Sequence, residues 1–96
     1  MKLVLFLYAG PNRDRLHELI NALDITAHTD LGRVHGSGAS GRYEGSRAFP
    51  GDGHAMFAVL EDERAAALRD EIPPFRDSLP PGERLHAFVL PVEQML

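Results

Sequence analysis

Two uninterrupted apolar runs, Leu3-Val4-Leu5-Phe6-Leu7-Tyr8 and Ala55-Met56-Phe57-Ala58-Val59-Leu60, constrain this chain more than any other feature. Neither alternates with polar residues, so each predicts a strand covered on both faces or lying centrally in a sheet. Each is followed by a helical stripe. After the first run Gly10-Pro11 breaks the strand, Asn12 is placed to cap, and Leu16, Leu19, Ile20 and Leu23 recur at i, i+3, i+4 and i+7. That spacing predicts a first helix over Arg13 to Leu23. After the second run Asp62 is placed to cap a helix with Glu63 in its electropositive first turn and Ala65, Leu68 and Ile72 facing inward. Pro73-Pro74 is expected to end that helix, because proline removes an amide donor and clashes with the preceding turn.

Between these units, Ile25 to His35 is more polar and roughly alternating, as suits an exposed edge strand. Leu85 to Val92 gives a last strand, with Pro91 near its end where an edge tolerates a missing donor. The order is βαββαβ. It predicts an α+β ferredoxin-like sandwich, a four-stranded antiparallel sheet with two helices on one face and a long loop between the second and third strands. In that arrangement the first and third strands are central, and they are the two most apolar here. With 96 residues, a single domain over 1–96 is expected, since a chain of this size buries only about 60–65% of its unfolded surface. So small a core holds a deep private pocket poorly. A homo-oligomer with a ligand site between copies is the expectation.

Charge narrows the partners. The net charge of −4 and a pI near 5.6 argue against nucleic acid, which demands a concentrated excess of Lys and Arg. The absence of cysteine removes disulfides, thiolate nucleophiles and cysteine-ligated zinc, and fits a reducing, cytoplasmic setting. Met1 to Ala9 is apolar but too short to span a bilayer, so no membrane insertion is expected.

The segment Gly32 to Gly51 inverts the character of the chain: six of the nine glycines, three arginines and one acid fall within it. Glycine allows close backbone approach, Ser37, Ser40 and Ser46 add donors, and arginine offers a planar fork for phosphate or carboxylate. The bland alternative is a solvated hairpin loop. Its length favours function, because long loops in compact domains are usually functional or disordered. Gly36-Ser-Gly-Ala-Ser-Gly41 matches G-x-G-x-x-G but lacks the helix that a dinucleotide fingerprint requires. No Gly-Lys-Ser/Thr of a P-loop occurs. His35 and His54 stand at the predicted ends of two pairing strands, so their imidazoles and Glu44 form a candidate metal set. His17 and His28 read as ordinary helix and edge-strand residues, and His86 as structural. Ser40 or Ser46 with His35 lacks a strand-elbow motif and an orienting third group, so no enzyme is expected. Arg42 beside Tyr43 suits a protein-docking tip.

One stretch carries a family likeness. Gly82-Glu-Arg-Leu-His-Ala-Phe-Val-Leu-Pro-Val-Glu93 resembles the closing strand of the PII signal-transduction proteins, where a Gly-x-Gly-Lys turn leads into a Phe-Val-x-Pro-Val segment. The βαββαβ order and the long loop are similar as well, and the metal-associated CutA proteins share that architecture. The resemblance implies a homotrimer with effectors, commonly adenine nucleotides, in clefts between subunits. It also implies that the 36–53 loop changes conformation and touches a target protein. Gly36, Gly38, Gly41 and Arg42 would then be loop elements, and Gly82 and Arg84 would form the phosphate-contacting turn. Arg33, Arg42, Arg47 and Arg84 are the candidates for anion contact. The loop lacks the glutamine that helps hold magnesium and 2-oxoglutarate in standard PII proteins, which implies a different ligand. The expected function is therefore a PII-like regulator of a small anionic effector, with an adenine nucleotide or a divalent transition metal as the ligand to look for. The alternative is a CutA-like transition-metal protein using His35 and His54.

Overall fold

The structure is a computed structural model that describes residues 1–38, 41–42 and 53–96, with side chains described for 1–36 and 53–96. The elements run β1 (Lys2–Ala9), α1 (Arg15–Ala22), β2 (Thr29–Val34), β3 (Ser37–Gly38), β4 (Gly41–Arg42), β5 (Gly53–Leu60), α2 (Asp62–Asp77) and β6 (Arg84–Pro91). The main sheet has the order β2-β5-β1-β6, and every pairing in it is antiparallel. The short β3 and β4 form a separate ribbon. Apart from that ribbon this is the ferredoxin-like arrangement expected from the apolar runs, with β1 and β5 in the centre.

One face of the sheet carries the core. Val4, Phe6 and Tyr8 of β1, Met56 and Ala58 of β5 and Leu85 of β6 pack with Leu16, Leu19, Ile20 and Leu23 from the first helical stripe and with Ala65, Leu68 and Ile72 of α2. The alternate residues point the other way, and the register aligns them into apolar rows. Leu5 sits between Phe57 and Phe88, and Leu3 between Val59 and Leu90. Neither helix covers this second face, and Phe88 and Leu90 are about half exposed.

Three local expectations are corrected. The first helix begins at Arg15, not Arg13, because Asn12 forms a turn ahead of it: its side chain accepts the Asp14 amide at 2.8 Å and its carbonyl accepts the Arg15 amide at 3.2 Å. Asp62 does not cap α2. Glu61 occupies the cap position without a side-chain cap bond, and the Asp62 carboxylate is held by the terminal ammonium of Met1. Nor does Pro73-Pro74 end α2, which continues to Asp77. The two prolines forfeit two intrahelical bonds, yet Ile72 is buried before them and Phe75 packs against the core after them. Ser78 closes the last turn by donating its amide and its hydroxyl to the Phe75 carbonyl, at 3.1 and 2.7 Å.

β2 contains an irregularity between Asp30 and Gly32. Leu31 is pushed out to 51% exposure, and Gly32 takes φ +82°, a conformation that strains other residues. At Gly53 the constraint is space: a Cβ there would lie 2.9 Å from the Tyr8 carbonyl oxygen and 3.2 Å from Val34. Gly53→Ala is expected to destabilise the fold by about 1–3 kcal/mol, the usual cost of overpacking, read as a lower urea midpoint with an unchanged slope.

Candidate ligand site at the loop end of the sheet

Antiparallel pairing brings four strand ends into one row. Val34 pairs with Gly53, Gly53 with Ala9, and Ala9 with Arg84. The segments that the sequence singled out both leave from this row: the 36–53 loop follows β2, and the Gly82–Arg84 turn precedes β6. They leave from opposite edges of the sheet. At about 4.8 Å per strand, the backbones of Arg33 and Arg84 stand roughly 14 Å apart. Gly36 follows the end of β2, while Gly38, Gly41 and Arg42 lie in the β3–β4 ribbon, where Ser37 faces Arg42 and Gly38 faces Gly41. Glu44 and Arg47 fall outside the described residues.

The 82–84 turn is clamped from beneath. Gly82 has φ +91°, suited to glycine, and the Glu83 amide donates to the Pro80 carbonyl at 3.2 Å. The Glu83 side chain is 5% exposed. Arg15 grips it through two bonds, Nε to Oε1 at 2.9 Å and a terminal nitrogen to Oε2 at 3.1 Å. Tyr8 donates its hydroxyl to Oε1 at 2.8 Å and accepts the Asn12 amide at 3.1 Å. Burial pushes the Glu83 carboxyl up, but the hydrogen bonds from Arg15 and Tyr8 and the arginine charge outweigh it and hold the group below its ordinary value. Burial raises the Tyr8 hydroxyl above its ordinary value. The bond to Glu83 keeps the Arg15 guanidinium charged.

A second cluster lies on the helix side near β2. His54, the second residue of β5, approaches Asp30 Oδ1 through Nε2 at 2.7 Å, and His17 on α1 approaches Asp30 Oδ2 at 3.3 Å. The bond to His54, joined by the Gly32 amide at 2.8 Å, holds the Asp30 carboxyl below its usual range. The His17 ring also lies 6.1 Å from that of His28 and 5.8 Å from that of His54. Of the metal set read from sequence, His54 belongs to this cluster. His35, exposed just beyond β2, is not among its three members. His17 and Asp30 were not legible as site residues, since only the crossing of α1 over β2 and the irregularity at Leu31 bring them together.

Elsewhere, a groove of about 370 Å³ between α2 and β6 is lined by Lys2, Leu68, Arg69, Arg76 and Val89 among others. It includes none of the residues of the loop end. Among the described residues no helix is long and apolar enough to cross a membrane.

The Glu83 clamp has a pH signature. A carboxyl whose folded-state value is depressed adds stability above its unfolded value, near 4.3, and loses it as the pH falls through the folded value. Melting temperatures between pH 7 and pH 3 are expected to show this acid loss, and Glu83→Gln to flatten it. Arg15→Met is expected to cost about 2–3 kcal/mol at pH 7, because it leaves a buried carboxylate without its cation.

No family model matches the chain, and no curated protein matches it. Solved structures do. A structure of CPII bound to ADP and bicarbonate, from Thiomonas intermedia K12, superposes with a TM-score of 0.58 at 19% identity, covering 93% of this chain and 86% of that one. A second structure, of CPII as a nitrogen regulatory PII-like protein of the same organism bound to ADP, AMP and bicarbonate, gives 0.57 at the same identity and coverage. The chain therefore has the fold of a PII-like protein.

Proposed function

We propose that this chain is a divergent PII-like regulator, not an enzyme, that assembles as a homotrimer and binds a small anionic effector between subunits. An adenine nucleotide is the first candidate. The observation that carries this reading is the row Val34, Gly53, Ala9 and Arg84, which delivers the 36–53 loop and the Gly82–Arg84 turn to one end of the sheet but to opposite edges. In a symmetric oligomer the two segments of neighbouring copies meet on one anion, which suits a site between subunits.

The second face of the sheet supplies a reason for neighbours. Leu3, Leu5, Phe57, Val59, Phe88 and Leu90 form contiguous apolar rows that the helices do not cover, and such a face marks an interaction surface. Arg33, Arg42, Arg47 and Arg84 are the cations for a phosphate or a carboxylate. Gly36, Gly38, Gly41 and Gly82 allow the backbone to approach it. The loop then reports occupancy to a target protein. The CPII structures of the same fold hold ADP, AMP and bicarbonate, which makes these three the ligands to try first.

Light scattering is expected to give a trimeric mass, and Leu5→Glu to lower it while helical circular dichroism is retained. A nucleotide at about one hundred times its Kd contributes roughly 2.7 kcal/mol, an upward shift in Tm on the order of 10 °C for a domain of this size. Arg84→Ala and Arg42→Ala are expected to remove the shift. A monomeric mass, or no shift with ADP, AMP or bicarbonate, would overturn the reading.

A further inference from the structure

We propose that His17, Asp30 and His54 form a binding site for a divalent transition metal of the zinc, copper or nickel type. One ligand atom from each of the three residues lies within 4.8 Å of the others, and the two contacts to Asp30 are 2.7 and 3.3 Å. A tetrahedral ion with bonds of about 2.0–2.2 Å holds its ligand atoms roughly 3.4 Å apart. The three side chains therefore need only small rotations to take an ion in place of their present contacts. Two imidazoles and one carboxylate suit zinc, copper and nickel far better than magnesium or calcium, which prefer oxygen throughout.

The local structure prepares this arrangement. His54 is 14% exposed at its side chain while His17 and Asp30 are open to solvent, so the site has a fixed floor and an accessible mouth. The Gly32 amide donates to Asp30 Oδ1 at 2.8 Å, which orients the carboxylate as outer partners do in metal sites. His28, its ring 6.1 Å from that of His17, is not among the three residues whose ligand atoms converge. The ligands come from α1, β2 and β5, so ion binding requires the folded chain and adds to its stability. His54 is the register partner of Arg33, which places the ion at the root of the 36–53 loop.

This inference is independent of effector binding. Calorimetric titration of the metal-free full chain with zinc chloride is expected to give one ion per chain, with affinity at least tenfold weaker in each of His17→Ala, Asp30→Asn and His54→Ala. His35→Ala and His86→Ala are expected to bind as the parent does. His17 lies on the exposed side of α1, so its variant keeps the fold, checked by circular dichroism. No saturable binding with zinc, copper or nickel, or unchanged affinity in His17→Ala and His54→Ala, would overturn the proposal. Loss confined to His35→Ala would move the ion to a different ligand set and overturn it equally.

Discussion

Strand β1 is apolar on both faces, and the two helices cover only one of them. Val4, Phe6 and Tyr8 are buried beneath the helices, while Leu3, Leu5 and Leu7 lie on the opposite side of the same strand. A strand of this kind belongs at the centre of a sheet, because an edge would expose one apolar face and a row of unpaired backbone groups together. Central placement of β1 and β5 leaves β2 and β6 as edges, and the remaining architecture follows. It also leaves rows of leucine, valine and phenylalanine on the uncovered face, at a density that solvated sheet faces avoid. Among the described residues that face is left without a covering layer.

The same antiparallel pairing organises the chemistry. Because β1 and β2 end where β5 and β6 begin, the glycine- and arginine-rich loop and the Gly-Glu-Arg turn are gathered at one end of the sheet. The turn is held in place by a carboxylate that is almost fully buried, gripped by Arg15 through two bonds and by Tyr8 through one. In so dry a position this contact ties the start of α1 to the start of β6 and fixes where Arg84 leaves the sheet. The pair offsets a large desolvation cost instead of adding much net stability. Its structural consequence is geometric: it ties the 82–84 turn to α1 and to Tyr8.

Local signals misled where longer-range contacts competed with them. Asn12 is a competent cap in isolation, but its side chain closes a turn two residues ahead of the helix. Asp62 is a competent cap as well, yet the terminal ammonium of Met1 takes its carboxylate. Pro73 and Pro74 oppose helix continuation locally, and burial of Ile72 with packing of Phe75 outweighs them. At Asn12 a competing local turn displaces the cap, and at the two ends of α2 distant contacts override a preference worth only about 1–3 kcal/mol. The histidine cluster shows the same limit at the level of function. His54 was legible as a candidate, but its partners His17 and Asp30 depend on how α1 crosses β2 and on the irregularity that turns Leu31 outward.

The sequence by itself determined the βαββαβ order, the two central strands and the inward helical stripes, because periodicity and apolar continuity act over a few residues and survive without knowledge of the fold. It also marked the arginine- and glycine-rich segments as chemically unlike the acidic remainder. Only the tertiary structure decided that Arg33 and Arg84 stand on opposite edges, that Glu83 is buried against Arg15, and that His17, Asp30 and His54 converge. These are pairings across tens of residues, set by strand register and helix crossing, and no local pattern encodes which distant partner a side chain will meet.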